Sequence, residues 1–168
     1  ITENPPAISK KIIVFTDWYE PGSKAGGPIR SCVNFAAHTK EDHDIYIFTG
    51  DRDLGDKQAY PQIETNRWLE QDGVQLFYAS PGALNWESVL VQIRDTKPDY
   101  LYLNSMYSTC FTIYPLLMKR LGMIKALVVL APRGMLKSTA VQYKTGKKQL
   151  FFKLLKWLRV HKQIIFHA

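Results

Sequence analysis

The sequence predicts one α/β domain carrying a Rossmann-like, doubly wound, mainly parallel sheet of about six strands. Short apolar runs recur along the chain, helix-like segments lie between most of them, and a polar cluster follows nearly every run. Alternation of this kind implies parallel pairing, because a parallel neighbour needs a crossover long enough to hold a helix. Right-handed crossovers then lay helices on both faces of the sheet. A chain of 168 residues can bury one sizeable core and is too short for two of ordinary size, so 1–168 reads as a single domain.

The first strand is read at 11–16, where Ile12, Ile13, Val14 and Phe15 form an unbroken run suited to burial on both faces. A helix over 28–39 follows. Pro28 suits its first turn, and Gly26 and Gly27 before it let the backbone approach a ligand. The second strand is read at 43–49 and the third at 74–79. Between them, residues 50–73 hold Asp51-Arg52-Asp53 and Asn66-Arg67-Trp68 in a connection long enough to be functional or to conceal further structure. A helix over 85–97 has Asn85 as N-cap and an apolar face through Val89 and Ile93, and Lys97-Pro98 ends it because the residue before proline avoids the α region. A strand at 100–104 leads to a helix over 108–121, in which Pro115 marks a kink or a late start and Gly122 is the C-cap. The last elements are a strand at 126–131, an amphipathic helix over 147–160 and a strand at 163–167.

The net charge of +7 favours an anionic partner, and residues 137–162 concentrate it with eight Lys and Arg and no acid. The helix over 147–160 buries Leu150, Phe151, Leu154, Leu155 and Leu158 on the sheet. Its basic side around Trp157 also suits an anionic membrane surface. Nucleic acid is not expected, because the aromatics do not interleave with basic residues as a base-stacking platform. Neither G-x-G-x-x-G nor a P-loop nor G-x-S-x-G occurs. His38, His43, His161 and His167 have no metal-ligand spacing, so no metal is expected. Cys32 and Cys110 read as reduced thiols, and no run is long and apolar enough to span a bilayer. The expected location is cytoplasmic, with peripheral contact at the inner membrane face.

In a doubly wound sheet ligands bind beyond the carboxyl ends of the strands. Those ends carry Asp17-Trp18-Tyr19, Asp51-Arg52-Asp53, Ser80-Pro81-Gly82, Asn104-Ser105 and Pro132-Arg133-Gly134. Gly26 and Gly27 leave the start of the first helix open to an anion. Arg133, beside Gly134, can grip a phosphate or carboxylate through both arms of its guanidinium; a solvated loop arginine is the plain alternative. Arg30, Asp51, Arg52, Asp53, Asn104 and Ser105 complete the candidates for acceptor or anion binding.

The order of motifs resembles the N-terminal half of a GT-B glycosyltransferase of family 4. It is carried by Trp18-Tyr19-Glu20-Pro21 leading to Ala25-Gly26-Gly27-Pro28-Ile29-Arg30-Ser31, by Thr49-Gly50-Asp51-Arg52-Asp53-Leu54-Gly55 and by Pro98-Asp99-Tyr100-Leu101-Tyr102-Leu103-Asn104-Ser105. Leu130-Ala131-Pro132-Arg133-Gly134-Met135-Leu136, followed by Lys147-Lys148, completes it, from about residue 11 to 168. The resemblance implies transfer of a sugar from a nucleotide-sugar donor to a glycan or lipid-linked acceptor with retention of configuration, in polysaccharide or glycolipid synthesis. It implies no obligatory metal, no cofactor beyond the nucleotide-sugar as co-substrate, and a glycine-rich loop that approaches the donor diphosphate, matched here by Gly26 and Gly27. Many relatives carry a histidine where this chain has Arg133. The family's C-terminal donor-binding domain, with its Glu-x7-Glu pair, is absent from 1–168, so this chain alone is expected to be inactive. The alternative is a non-catalytic Rossmann-like domain that binds a nucleotide or an anionic glycan.

Overall fold

The computed structural model describes residues 8–105, 107–131 and 164–167. It is α/β, with a seven-stranded, mostly parallel mixed sheet and, among the described residues, three α-helices. The strands are β1 (Lys11–Phe15), β2 (Asp44–Gly50), β3 (Trp68–Gln71), β4 (Val74–Ala79), β5 (Tyr100–Leu103), β6 (Leu127–Leu130) and β7 (Ile164–Phe166). The helices are α1 (Gly27–Thr39), α2 (Trp86–Thr96) and α3 (Tyr114–Arg120).

The sheet order is β3-β4-β2-β1-β5-β6-β7. Every pairing is parallel except β3 with β4. The chain therefore builds outward from β1 to β2 and β4, then returns to the other side of β1 for β5, β6 and β7. β1 lies at the centre, with Ile13, Val14 and Phe15 fully buried. Its alternate side chains feed two cores. Ile12 and Val14 join Cys32 and Ala36 of α1 with Ile45, Ile47, Leu76 and Tyr78. On the other face, Ile13 and Phe15 join Val89 and Ile93 of α2 and Leu116 and Met118 of α3 with Phe48, Leu103 and Leu130. Phe48 bridges inside this second core, with ring centroids 5.1 Å from both Phe15 and Phe77 and 5.8 Å from Phe111.

The helix boundaries follow from their caps. Asn85 accepts a hydrogen bond from the Ser88 amide at 2.9 Å and starts α2. Lys97 ends that helix in the left-handed conformation, φ 47° and ψ 57°, ahead of Pro98. The helix expected over 108–121 opens instead as a π-helical turn at Thr109–Ile113, with Ser108 as its cap, and becomes α-helical only from Tyr114. Pro115 has no amide to donate and so belongs in the first turn of the α-helical part, which fixes that late start. Its far end closes with the Met123 amide on the Met118 carbonyl at 2.9 Å and the Gly122 amide on the Lys119 carbonyl at 3.1 Å. This paired closure requires a left-handed residue, and Gly122 has φ 72°.

The sheet has seven strands where about six were expected. The addition is β3, an antiparallel edge strand inside the long connection after β2. Asp72 and Gly73 both have positive φ, 51° and 76°, which is the backbone of a two-residue hairpin turn between β3 and β4. Trp68 anchors the strand by stacking edge-on against Tyr46 and Phe77 and donating its indole N–H to Gln92 of α2 at 2.9 Å. The helix expected over 147–160 lies outside the described residues. No described helix is long and apolar enough to cross a membrane.

Candidate functional site

Buried polar side chains mark one end of the sheet. Thr16, Thr49, Asp51, Asp53, Asn104, Ser105 and Thr112 are all buried at the carboxyl ends of strands or in the turn after β5, and among the described residues only Thr96 of the buried polar set lies elsewhere. Burying a polar group costs free energy unless it is hydrogen-bonded, so such a concentration needs a reason at that place. The strand order also reverses there, between β1 and β5. A reversal opens a crevice, because the connections leaving the two strands turn to opposite sides.

Most of these groups tie together the loops at the carboxyl ends of β1, β2 and β5. Asp53 accepts the Ser23 amide at 2.7 Å, the Lys24 amide at 3.1 Å and the Leu54 amide at 2.8 Å. Burial works to raise its pKa, yet these three amides, with the Lys24 charge, hold the carboxyl below its ordinary value. Asp53 thus ties the glycine-rich loop to the β2 end. Asp51 is paired with its neighbour Arg52, Nε to Oδ1 at 2.8 Å, and Arg52 also donates to the Lys57 carbonyl at 2.5 Å. Lys24 is paired with Asp56. Asn104 donates to the Pro28 carbonyl at 3.3 Å, joining the β5 end to the first turn of α1.

The start of α1 is open. Gly26 has φ 63° and ψ −110°, a conformation that L side chains rarely adopt, and no side chain caps the helix. A Cβ placed on Gly26 or on Gly27 would meet nothing within 4 Å, so space adjoins both. Arg30, one turn further on, is exposed and makes no ion pair among the described residues. Ser105, buried at the β5 end, donates its hydroxyl to Oδ2 of Asp17, the first acid after β1. The Ser105 carbonyl accepts the Thr112 hydroxyl at 2.8 Å. Burial pushes the Cys110 thiol upward in pKa, the Asp17 carboxylate adds to the rise, and the thiol donates to the Leu84 carbonyl at 3.1 Å.

Of the residues expected from sequence, Gly26 and Gly27 open α1, Asn104 is bonded to that first turn through the Pro28 carbonyl, Ser105 follows Asn104, and Arg30 is exposed one turn along α1. Asp51, Arg52 and Asp53 follow β2, with their charges committed to one another or to loop amides. Arg133 and Gly134 lie outside the described residues. Asp17 was read from sequence as part of the cluster at the carboxyl end of the first strand but was not among the binding candidates, because its partner Ser105 lies 88 residues away. Among the described residues no group of three His, Cys, Asp or Glu side chains could hold a metal ion.

A groove of about 730 Å³ lies beside α1 and over β4, and it reaches the loop after β1, where Gly22 of its lining stands against the Asp53 carboxyl. It is lined by Tyr19, Val33, Ala36, Ile63, Leu76 and Tyr78 among others. Its polar groups are largely satisfied internally: the Tyr78 hydroxyl donates to the Glu20 carbonyl at 2.6 Å, and the Lys40 ammonium donates to the Asp72 carbonyl at 2.8 Å. The crevice, with open glycines and an incompletely used carboxylate, offers more to a ligand than this groove. No protein-family model matches the sequence, and no curated protein or solved structure matches it either.

Proposed function

We propose that this chain is the acceptor-side domain of a retaining GT-B glycosyltransferase, built on a Rossmann-like, doubly wound sheet. The parallel strands run β4-β2-β1-β5-β6-β7, with α1 on one face and α2 and α3 on the other, which supports the doubly wound reading. The observation that carries the function is the open start of α1 beside the reversal of strand order. There Gly26 and Gly27 leave free space and no side chain caps the helix. A helix start of that kind stabilises phosphate through amides and the helix dipole, and in sugar transfer the charge to be stabilised is that developing on the departing nucleotide diphosphate. Arg30, exposed one turn further on, supplies a cation. The acceptor, a glycan or lipid-linked sugar, would enter across Asn104 and Ser105, with the donor held mainly by a second domain.

The test is sugar transfer by the full gene product, assayed with a panel of nucleotide-sugars and glycolipid extracts, with the anomeric configuration of the product read by NMR. Gly27→Val is expected to abolish transfer while the circular dichroism spectrum and melting temperature stay near wild type, because its Cβ meets nothing in the fold. Wild-type turnover in Gly27→Val would make the glycines a turn and nothing more. Absence of transfer across the panel would remove the enzyme reading.

A further inference from the structure

We propose that the Asp17–Ser105 pair is a hydroxyl-binding subsite that takes a neutral sugar hydroxyl and rejects anionic sugars. The inference rests on the glycosyltransferase reading for its biological substrate, an acceptor whose sugar next to the transfer point is uncharged. The chemistry of the pair stands without it.

The carboxylate is fixed before any ligand arrives. Ser105 is only 7% exposed and its hydroxyl hydrogen is committed to Asp17 Oδ2. Ser105 is held in turn by Thr112 through its carbonyl, and its neighbour Asn104 is held by Pro28. The Asp17 backbone carbonyl accepts the Gly50 amide at 3.4 Å, so the ends of β1, β2 and β5 all contribute to its position. An acceptor held by three strands loses little freedom when a ligand binds.

The carboxylate is also underused. An ionised carboxyl offers about four acceptor sites on its two oxygens. Asp17 spends one on Ser105, and Oδ1 makes no hydrogen bond or ion pair with any described residue. Asp17 is half-buried, which leaves the remaining sites reachable. Among the described residues no cation is paired with it: Lys24 is engaged with Asp56 and Arg52 with Asp51, and Arg30 makes no ion pair.

The sign of the charge then selects the ligand. A carboxylate accepts hydrogen bonds from hydroxyl groups and repels phosphate and carboxylate. The crevice is thereby divided, with anions favoured at the start of α1 near Arg30 and hydroxyl donors favoured at Asp17. A sugar carries hydroxyl donors in abundance, and a uronic acid adds the one group that Asp17 excludes.

The experiment is titration of the ¹⁵N-labelled protein with four neutral methyl hexopyranosides, methyl glucuronoside and inorganic phosphate, read as amide shifts at residues 17 and 105. At least one neutral glycoside is expected to shift both amides and to bind about tenfold more tightly than the glucuronoside. Asp17→Asn keeps the shape but removes the charge. It should weaken the neutral glycoside about tenfold and narrow the gap to the glucuronoside. Ser105→Ala leaves the carboxylate in place but unfixed, and should weaken binding about threefold, which keeps the test available if Asp17→Asn fails to fold. The proposal is overturned if no neutral glycoside shifts these amides, if the glucuronoside or phosphate binds there as tightly, or if both variants bind like wild type. Glycoside binding without sugar transfer would sink the glycosyltransferase reading alone. Transfer by the full gene product with an unchanged acceptor KM in Asp17→Asn would sink this proposal alone.

Discussion

A carboxylate buried among backbone amides is held ionised by them, and Asp53 sits in that position between Ser23, Lys24 and Leu54. Because its pKa in the folded protein is depressed, Asp53 stabilises the fold above the ordinary carboxylate pKa near 4, and that contribution is lost as pH falls through the depressed value. Asp53→Asn should therefore cost about 1.5–3 kcal/mol at pH 7, the range for hydrogen bonds to a charged group, and less at pH 3. Urea denaturation at the two pH values measures the difference; an equal loss at both would show that the charge plays no part. The sequence indicated that Asp53 stands at a strand end. It could not indicate its role, because two of the three partners, Ser23 and Lys24, lie about thirty residues earlier in the chain and no local pattern encodes that pairing. The same holds for Ser105 and Asp17, separated by 88 residues. Gly26 and Gly27 were legible because an open helix start has its cause in adjacent residues.

Helix α2 illustrates what caps contribute at the scale of an element. Asn85 satisfies the Ser88 amide, and Asn85→Ala should destabilise the protein by about 1 kcal/mol. At the other end Lys97 occupies the left-handed region, which costs an L residue roughly 1–2 kcal/mol. Lys97→Gly should relieve that strain. The glycine gains extra freedom in the unfolded chain, so the net stabilisation is expected to be below about 1 kcal/mol. Thermal unfolding of the two single variants should move in opposite directions, and a lower melting temperature for Lys97→Gly would show that the lysine side chain contributes more than its backbone strain removes. The sequence located this helix and its end at Lys97-Pro98, and Lys97 does leave the right-handed α region ahead of the proline, by way of the left-handed one. Strand β3, by contrast, was missed. Its four residues, Trp68-Leu69-Glu70-Gln71, are too short and too polar for periodicity to register, and the usable signal was the Asp72-Gly73 pair, a strong hairpin turn sequence.

For the whole molecule, the parallel core was readable because strands buried on both faces are written as continuous apolar runs, and β1, β2 and β4 all are. Handedness and coverage rules gave the expectation of a mainly parallel sheet without naming a strand order, and the antiparallel edge escaped because those rules govern crossovers and not hairpins. This architecture also predicts where the sheet opens. β1 is paired on both sides and its side chains enter both cores, so the Ile13, Val14 and Phe15 amides should exchange with solvent only on global unfolding. β3 is paired on one side only, over four residues, with Glu70 and Gln71 exposed. Its amides should exchange through a local opening that leaves β4, β2 and β1 paired. Native-state hydrogen exchange at increasing urea separates the two cases: the β3 amides should exchange at low urea with little denaturant dependence, while those of β1 and β5 converge on the global unfolding free energy. If β3 merges with β1 at every urea concentration, the hairpin is an integral part of one cooperative sheet. Trp68, through its indole bond to Gln92 and its packing on Phe77, would then be the contact that makes it so.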